Sequence, residues 1–445
     1  MQLSQLERIL SATRLGEDAT FTGFSTDSRT LQPGELFIAL EGENFDGHNF
    51  LREVKARGAV AALVSKPQYD CALSQIIVSD TRRALAVWAR WHRMQFPQVR
   101  IVGITGSCGK TTTKEMLAAI FSIQGETLAA HKSFNNDIGV PLTLLQLNAS
   151  HRYAVLEIGA NHPHEIAPLA RLADLDAAII TCVAPVHIEG FGDLQTIAVT
   201  KGEIFQGLKQ AGVAILDRED DFYSFWQQSL RTHPILSFGC VNEADVRATD
   251  IHLDAEGKAK FTLNIGHDHT TIELPLLGRH NIYNALAAST AAYALGVPLR
   301  AIKQGLEHMQ PAAHRLQTLT GRQGVHIIDD CYNANPTAVK AALEILSRAK
   351  GERVWVFFDM RELGNMSEEA HRQVGLYAKK LGIQRLFAVG ELSRLTVESF
   401  GEGAAHFADQ TELLTALQEI LHPNMTVLVK GSRSGRLEKI VEAII

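Results

Sequence analysis

Apolar residues occur along this chain in short continuous runs that end at a glycine or a polar residue. Residues 101–105, 153–159 and 177–181 form such runs, which are typical of strands buried on both faces. Helical patterns separate the runs and favour a largely parallel sheet. Residues 261–265 and 271–274 flank a polar tip and predict a hairpin appended to that sheet.

The two ends of the chain carry patterns of their own. At the beginning, an amphipathic helix around Leu6 and a strand over residues 36–40 predict a small α/β domain. Towards the end, a strand-then-loop unit recurs at residues 325–330, 354–359, 386–390 and 427–431. This recurrence predicts a doubly wound domain whose ligands bind at the carboxyl edge of the sheet. We expect that edge, which includes Asp330, to face the central part of the chain.

Length and composition favour a multidomain globular protein. A chain of 445 residues allows about three domains. We predict an α/β fold with a small domain over residues 1–98, a central domain with a mainly parallel sheet over 99–312, and a Rossmann-like doubly wound domain over 313–445.

Charge and cysteine usage narrow the class further. A net charge of −6 argues against a general nucleic-acid binder. The chain has no apolar run of membrane-spanning length and no signal-peptide pattern. Five scattered cysteines without a C-x-x-C pair argue against a disulfide framework or a structural zinc site. We therefore expect a cytoplasmic protein without membrane insertion.

A glycine-rich turn follows the strand at residues 101–105 and is the most informative motif. It predicts a triphosphate cradle, because glycines allow backbone N–H groups to approach phosphate oxygens and the lysine adds a positive charge. The predicted nucleotide-binding residues are Gly106, Ser107, Cys108, Gly109, Lys110, Thr111 and Thr112. The spacing departs from the strict Gly-x4-Gly-Lys-Thr pattern, so an ordinary strand-turn-helix is the alternative.

Three further residues have two readings each when they are taken alone. Glu157 ends a buried strand, where it either binds Mg²⁺ together with Thr111 or caps the following turn. His187 lies in a loop bounded by glycine and proline, and a structural role is favoured because Mg²⁺ rarely takes imidazole ligands. Lys201 is either a surface lysine or a phosphate contact.

Amide side chains mark two predicted helix starts. Asn281 and Asn284 lie one turn apart and could bind a base edge, although capping is an equal alternative for Asn281. Asn335 or Thr337 could cap the helix that follows the strand ending at Asp330. Asp330, at a strand end, is the better functional candidate of that region.

These motifs, in this order, resemble the Mur ligase superfamily of ATP-dependent amide-bond-forming enzymes over nearly the whole chain. The residues that carry the resemblance are 106–115, 132–141, 157–161, 184–187, 201–204, 278–281, 332–336 and 430–433. The resemblance implies a uridine-nucleotide (UDP-sugar-peptide) domain at the beginning, an ATP-binding domain in the centre and the doubly wound domain at the end.

The resemblance also implies roles for individual residues. Lys201 would react with CO₂ to form a carbamate that holds Mg²⁺; His187 and Glu157 would position a second metal ion, and Thr111 would ligate the first. Lys110, Lys201, His187 and Glu157 are thus the expected catalytic residues. Asn281 and Asn284 would contact adenine, and Arg315 and Asp330 the ribose or phosphates. Substrate binding is expected from Ser28, Arg29, Asp46, His48, Asn135, Asn136, Asn161, Asn333 and Asn335.

Within the superfamily, the resemblance at residues 332–336 favours a member that adds D-alanyl-D-alanine to UDP-MurNAc-tripeptide. The Asp-Asn-Pro-Arg motif that a related member carries for its diamino acid is absent from this chain. The resemblance further implies a monomer. Four positions depart from the family pattern: glycine is usual at the positions of His164, His314 and Phe358, and asparagine is usual at that of Asp217. The alternatives are a relative with another acid or amine, a phosphotransferase or GTPase-like switch, and a non-catalytic nucleotide-binding scaffold.

Overall fold

The computed structural model describes residues 1–42, 44–130, 134–186 and 188–445. The helices are α1 (Leu3–Leu10), α2 (Leu51–Ala56), α3 (Thr81–Met94), α4 (Lys110–Ser122), α5 (Gly139–Leu144), α6 (Ile166–Ala173), α7 (Ile188–Phe191), α8 (Leu194–Gly202), α9 (Tyr223–Ser229), α10 (His280–Ala294), α11 (Leu299–His308), α12 (Pro336–Arg348), α13 (Ser367–Lys380), α14 (Ser393–Phe400), α15 (Gln410–Gln418) and α16 (Glu438–Ile444). Short 3₁₀ helices occupy Gly47–Phe50, Glu203–Gly207, Arg322–Gly324, Gly364–Met366 and Arg433–Gly435.

The strands follow the same chain order. They are β1 (Thr13–Leu15), β2 (Gly23–Ser25), β3 (Glu35–Ile38), β4 (Glu41–Gly42), β5 (Phe45–Asp46), β6 (Ala61–Val64), β7 (Ser74–Ile77), β8 (Arg100–Thr105), β9 (Thr127–Ala129), β10 (Tyr153–Glu157), β11 (Leu175–Ile180), β12 (Leu208–Asp217), β13 (Ile235–Gly239), β14 (Val246–Leu253), β15 (Lys258–Ile265), β16 (Asp268–Leu277), β17 (Gln317–Thr320), β18 (His326–Asp330), β19 (Glu352–Phe358), β20 (Arg385–Val389), β21 (Ala404–Phe407) and β22 (Met425–Lys430). The predicted α/β fold class is confirmed.

The described part of the chain divides into two compact units. Met1–Gln98 and Phe134–Ala149 form the first, and Val99–Ser133 and Ser150–Ile445 form the second. In the first unit, the sheet order is β1-β7-β6-β3-β2, with β1 antiparallel to its neighbour and the others parallel. Its core contains Phe37, Leu51 and Val54. Among the helices described, none has the length and apolar character to cross a membrane.

The second unit begins with a sheet of order β16-β15-β14-β13-β12-β11-β8-β10-β9. The strands from β9 to β14 are parallel. Strands β15 and β16 form the predicted antiparallel hairpin, and β15 also pairs antiparallel with β14, which was not predicted. Helix α10 is rich in alanine and packs closely against α4 and the sheet, with Ala285, Ala288 and Met116 among the fully buried side chains. This close packing fixes α4, which starts at the glycine-rich turn, against the sheet.

The end of the chain forms another sheet within the second unit, of order β17-β18-β22-β19-β20-β21. All its strands are parallel except β17, which is antiparallel to β18. Asp359 follows β19 and accepts hydrogen bonds from the backbone N–H groups of Ser393 at 2.8 Å and Glu391 at 3.1 Å. Buried Asp359 therefore ties the loops at the carboxyl edge together, as expected for a doubly wound sheet.

The structure accommodates the four residues that depart from the family pattern in different ways. His164 and His314 both have left-handed backbone conformations, with φ of 70° and 62°, which side chains other than glycine adopt at a cost. Phe358 is accommodated because Gly431 and Gly435 leave room for its ring: a Cβ on either glycine would lie within 2.6 Å of Phe358 atoms.

Asp217, the fourth departure, ends β12 and accepts a hydrogen bond from the backbone N–H of Glu219 at 2.9 Å. Burial raises the pKa of this carboxyl to about 7. An asparagine at this position could accept the same hydrogen bond without a charge to desolvate. The aspartate therefore keeps the local turn and adds a group that titrates near neutral pH.

Replacement of His164 by glycine is expected to stabilise the protein slightly. The left-handed conformation costs a non-glycine residue about 1–2 kcal/mol, whereas glycine adds about 0.5–1 kcal/mol of unfolded-state entropy. The histidine side chain is 92% exposed, and its contact with Glu203, 3.4 Å from Nδ1 to Oε1, contributes little at so exposed a position. Thermal unfolding should show a higher midpoint for His164→Gly. The matched control His162→Gly, at a position without positive φ, should show a lower one; equal decreases in both variants would contradict the strain at residue 164.

Candidate active site

The glycine-rich turn joins β8 to α4 through two glycines in unusual conformations. Gly106 has φ of 146° and Gly109 has φ of 81°. A Cβ on Gly106 would lie 1.9 Å from Thr181 Oγ1, and one on Gly109 would lie 2.3 Å from Asn284 Oδ1. Both positions therefore require glycine for space as well as for conformation. The predicted phosphate loop has the tight backbone geometry that such a cradle needs.

Side-chain hydrogen bonds anchor this loop to the segment that follows β11. Ser107 Oγ donates to the carbonyl of Ala184 at 3.0 Å and accepts from the N–H of Ala184 at 2.9 Å. Thr181 Oγ1 donates to the carbonyl of Cys108 at 2.5 Å. These bonds hold the loop backbone in a fixed shape, which is a prerequisite for binding phosphates without reorganisation.

Lys110 opens α4 with its amino group turned back over the loop. Its Nζ donates to the carbonyls of Gly106 at 2.7 Å and Ser107 at 3.4 Å. Thr111 and Thr112 follow in the first helical turn. The ammonium group and the N–H groups of a helix N-terminus thus lie at the same place, an arrangement that favours anions.

Glu157 brings a carboxylate to the helix start. It ends β10, which pairs in parallel with β8, so both strands deliver their carboxyl ends to the same edge. Glu157 is only 2% exposed, and Thr111 Oγ1 donates to its Oε2 at 2.9 Å. A hydroxyl and a carboxylate are hard oxygen donors of the kind that Mg²⁺ prefers. The two residues therefore fit the predicted metal site.

Lys201 lies near the end of α8 and is 1% exposed, which excludes the surface-lysine alternative. Its Nζ is 5.4 Å from the centroid of the Phe191 ring. Burial and the positive charge of Lys110 lower the pKa of Lys201 to about 7. A large fraction of this lysine is consequently a neutral amine at physiological pH, which is the nucleophilic form.

His187 lies outside the described residues, so its catalytic and metal-binding roles stay predictions.

Asn281 and Asn284 are buried in the first turns of α10. Asn281 Nδ2 donates to the carbonyl of Leu277 at 2.8 Å, and Asn284 Nδ2 donates to Asn281 Oδ1 at 2.8 Å. Since α10 begins at His280, Asn281 does not occupy the cap position. The side-chain oxygen of Asn284 lies next to Gly109 of the phosphate loop.

The last sheet places Asp330 and Asn335 as predicted at its carboxyl edge. Buried Lys430 donates through Nζ to Asp330 Oδ2 and, at 3.0 Å, to the carbonyl of Asn333. Asn335 caps α12 by accepting from the N–H of Ala338 at 2.9 Å, so it is the cap rather than Thr337. Its Nδ2 also lies 3.4 Å from the sulfur of Cys108 in the phosphate loop.

Two other predicted residues of this unit make local contacts. The guanidinium carbon of Arg315 lies 4.2 Å from the centroid of the Tyr332 ring, so its position is set by a cation–π contact. Asn161 is exposed, and its backbone N–H donates to Glu165 Oε2 at 2.8 Å. The Asn161 contact is made by its backbone N–H and not by its side-chain amide. The Arg315 contact with the ring does not use the full set of N–H donors of the guanidinium group.

The other predicted substrate residues, Ser28, Arg29, Asp46, His48, Asn135 and Asn136, all belong to the first compact unit. The N–H of Ser65 donates to His48 Nε2 at 2.9 Å, so Nδ1 carries the proton and donates to Asp46 at 2.5 Å. Arg29 is 81% exposed and pairs with Asp27.

In the same unit, Ser28 is buried, and Asn136 Oδ1 accepts from the N–H of Gly139 at 2.9 Å at the start of α5.

Thr181 and Lys430 are site residues that sequence reasoning did not select. Thr181 secures the loop carbonyl of Cys108, and Lys430 neutralises Asp330. Each lies at or just after the end of a buried strand, which is the signal that could have identified it.

Cys108 is expected to react selectively with alkylating reagents. The neighbouring Cys182 thiol lowers the pKa of Cys108, so the thiolate fraction of Cys108 at pH 7 exceeds that of an ordinary thiol, which is only a few per cent ionised. Iodoacetamide at pH 7 should label Cys108 about tenfold faster than the other cysteines, and Mg-ATP should slow the labelling. Peptide mass mapping measures both effects. Labelling of Cys71 and Cys240 at the rate of Cys108 would contradict the shift.

Comparison with known families agrees with this geometry. The Mur ligase family, catalytic domain model matches residues 20–94, the Mur ligase middle domain model matches 104–292, and the Mur ligase, glutamate ligase domain model matches 314–433. The anchored loop, the buried Glu157 and the doubly wound sheet all lie inside these spans. The chain belongs to the Mur ligase family.

Particular relatives resemble it over almost its whole length. The UDP-N-acetylmuramoyl-tripeptide–D-alanyl-D-alanine ligase of Escherichia coli K12 is 44% identical, covering 99% of this chain and 98% of the relative. A crystal structure of MurF from Acinetobacter baumannii is 36% identical with a TM-score of 0.92, covering 99% and 97%. MurF ligase from Thermotoga maritima in complex with ADP is 27% identical with a TM-score of 0.82, covering 94% and 96%.

Proposed function

We propose that this chain is an ATP-dependent ligase that joins D-alanyl-D-alanine to UDP-MurNAc-tripeptide in peptidoglycan precursor synthesis. The observation that carries the proposal is the anchored phosphate loop whose Thr111 is hydrogen-bonded to buried Glu157, with buried Lys201 within electrostatic reach of Lys110. The substrates extend to this chain from the relative that is 44% identical to it.

In the proposed reaction, a carboxylate oxygen of the tripeptide attacks the γ-phosphorus of ATP, and the bond from that phosphorus to the β,γ-bridging oxygen breaks. An acyl phosphate and ADP result. The amine of D-alanyl-D-alanine then attacks the acyl carbon, loses a proton and displaces inorganic phosphate. Lys110 neutralises charge on the transferring group and the loop N–H groups hold the remaining phosphates.

Thr111 and Glu157 are the described residues that would hold Mg²⁺. Glu157 is buried and its contact with Thr111 joins two hard oxygen donors, so the donor set fits the ion. Bound there, Mg²⁺ would supply charge neutralisation for the triphosphate. On the strength of the sequence resemblance alone, we also assign His187, together with Glu157, to a second metal ion.

Lys201 is proposed to carry a carbamate formed with CO₂. The amine nitrogen attacks the carbon of CO₂ and loses a proton, which replaces a cation by a carboxylate-like anion that can hold a metal ion. Two observations support this assignment: the amine is shielded from water, and its lowered pKa leaves it largely neutral near pH 7. Buried and unmodified, its cationic form would be costly.

Carbamate formation is expected to decline as the pH falls through 7. With a pKa of about 7, about nine tenths of the amine is neutral at pH 8 but only about a tenth at pH 6. Protein depleted of CO₂ should therefore regain activity on bicarbonate addition more slowly at pH 6 than at pH 8, by roughly tenfold at equal dissolved CO₂. A pH-independent recovery would contradict the shifted amine.

The lowered pKa of Lys201 also makes the folding stability of the protein depend on pH. The pKa of Lys201 is 10.5 in the unfolded chain and about 7 when folded, so the folded protein binds fewer protons between these values. Without the carbamate, the stability contribution of this lysine therefore decreases as the pH falls from about 10.5 to about 7.

The remaining assignments are part of the same proposal. Asn281 and Asn284 would contact adenine, and Arg315 and Asp330 would contact the ribose or phosphates. Within the first unit, the predicted substrate residues would contact the uridine-nucleotide substrate. Within the second unit, Asn161, Asn333 and Asn335 are proposed substrate-binding residues. We also propose domain boundaries at residues 98/99 and 312/313, a monomer, and action in the cytoplasm; the five free thiols suit a reducing compartment.

Substrate competition tests this proposal. Phosphate release from Mg-ATP is measured with UDP-MurNAc-tripeptide or a folate as the acid and D-alanyl-D-alanine or a diamino acid as the amine. We expect release with the tripeptide and the dipeptide only. Release with a different pair would reassign the substrate within the family. Phosphorylated product without an amide, or hydrolysis indifferent to any amine, would replace the ligase by a phosphotransferase or a nucleotide switch.

A further inference from the structure

A cluster of metal-ligating side chains lies outside the catalytic residues described above. It consists of His314, which precedes β17, and Asp329 and Cys331, at the end of β18. Their ligand atoms all lie within 4.8 Å of one another. His314 Nδ1 is 2.7 Å from Asp329 Oδ2 and 3.6 Å from the sulfur of Cys331. We call these three residues the His-Asp-Cys cluster.

The fold explains why these residues meet. Side chains two residues apart on a strand point to the same face, so Asp329 and Cys331 share a face while Asp330 between them contacts Lys430. Strand β17 runs antiparallel to β18 and pairs Gln317 with Asp329. The segment just before β17 therefore carries His314 back to the end of β18.

A second carboxylate lies beside the cluster. Glu438, the first residue of α16, is close enough to Cys331 for its negative charge to act on the thiol. One of its oxygens is 3.0 Å from Arg433 Nη1. The other, Oε2, is buried and has no hydrogen-bond partner among the residues that the structure describes. A buried carboxylate oxygen without a partner is costly unless a cation or a donor is supplied.

We propose that the His-Asp-Cys cluster binds a thiophilic divalent cation of the Zn²⁺ class; the Glu438 carboxylate, which is not among the ligand atoms that lie within 4.8 Å of one another, would turn toward the bound ion as the fourth ligand. A set of one imidazole, one thiolate and two carboxylates suits Zn²⁺ and is unsuited to Mg²⁺. Cys331 gives up its proton to solvent when the ion binds, because the thiolate is the ligand form.

The distances agree with a tetrahedral site. Typical Zn–N and Zn–S bonds of about 2.0–2.1 Å and about 2.3 Å imply an N···S edge of about 3.6 Å, and the His314 to Cys331 distance is 3.6 Å. The His314 to Asp329 pair is hydrogen-bonded at 2.7 Å and must open by roughly 0.6 Å to reach the N···O edge.

The proposed metal site lies next to two residues that are proposed to contact the nucleotide. His314 is followed by Arg315, and Asp330 lies between Asp329 and Cys331, so the ligands flank two proposed nucleotide contacts. A bound ion would cross-link the start of β17 to the end of β18 and to α16. It would thus fix the segments that carry Arg315 and Asp330.

Cobalt binding tests this site, because a thiolate bound to Co²⁺ gives an intense charge-transfer absorption. The purified full-length protein, stripped of metal by a chelator, is titrated with Co²⁺ and then with Zn²⁺. We expect one equivalent of Co²⁺ to produce the thiolate band and tetrahedral bands, and Zn²⁺ to abolish both. Cys331→Ser should lose the charge-transfer band, and Cys240→Ser, a half-buried thiol outside the cluster, should keep it.

A second variant keeps the test decisive if Cys331→Ser folds poorly. His314→Gly suits the backbone, since φ at residue 314 is 62°, and should fold while losing the tetrahedral bands. In the parent protein, one equivalent of Zn²⁺ should raise the thermal midpoint, and this rise should vanish in His314→Gly. No thiolate band in the parent, or an unchanged band in either cluster variant, would overturn the proposal.

Discussion

Replacement of Lys201 by alanine is expected to reduce ligase activity on the order of a thousandfold, because it removes a proposed metal-holding group worth several kcal/mol to the transition state. The loss should not reflect unfolding: alanine is a strong helix former, and the wild-type amine is buried at a cost. Short carboxylic acids such as acetate should restore part of the activity by entering the space left by the side chain. Initial rates with and without acetate measure both effects.

The matched control is Lys303→Ala. Lys303 lies on the outer side of α11 in the same compact unit and pairs with Glu307, so its removal should leave the rate unchanged. Carbon-13 NMR of the parent protein in labelled bicarbonate should show a carbamate signal that the Lys201→Ala variant lacks. Full activity in Lys201→Ala would eliminate the carbamate from the account.

Replacement of Lys110 by methionine is expected to lower kcat on the order of 10³-fold, because one preorganised charge on the transferring phosphate is lost. Methionine keeps the length of the stem while removing the ammonium group that donates to the carbonyls of Gly106 and Ser107. Steady-state kinetics at saturating ATP separate this effect from weaker nucleotide binding.

Lys258→Met is the control for this loss. Lys258 is the partly exposed first residue of β15 and pairs with Glu256; it lies far in sequence from the loop and outside the proposed chemistry. It should retain the parent kcat. Lys110→Met should also lose the influence of Lys110 on Lys201, so the pKa of Lys201 should rise from about 7. A kcat within about tenfold of the parent would show that Lys110 is not the phosphate-neutralising group.

The fold was predictable where hydrophobic pattern and local chemistry agree. The continuous apolar runs at β8, β10 and β11 and the hairpin of β15 and β16 were read from the sequence. For the cap of α12 the sequence left Asn335 and Thr337 as alternatives, and the structure shows that Asn335 is the cap. The glycine turn was recognisable because its requirement is local. Each of these signals lies within a few neighbouring residues.

Features that depend on packing between distant segments were not predictable. Residues 134–149 belong to the same compact unit as residues 1–98, and no local pattern indicates that association. The burial of Lys201 follows from how α8 packs in the second unit, so its residue type alone left the surface alternative open. The His-Asp-Cys cluster likewise forms only when β17 folds back along β18. These three features depend on tertiary contacts, which neither the composition nor the hydrophobic periodicity of the sequence indicates.

The measurement that tests the central claim most directly is the product of a complete reaction, determined by mass spectrometry with phosphate release followed in parallel. Mg-ATP, UDP-MurNAc-tripeptide and D-alanyl-D-alanine are supplied together and each is omitted in turn. The account predicts UDP-MurNAc-pentapeptide, heavier than the tripeptide substrate by one dipeptide less one water, with one phosphate released per product and neither formed when any component is missing. Phosphate release that persists without D-alanyl-D-alanine, with no pentapeptide formed, would contradict it.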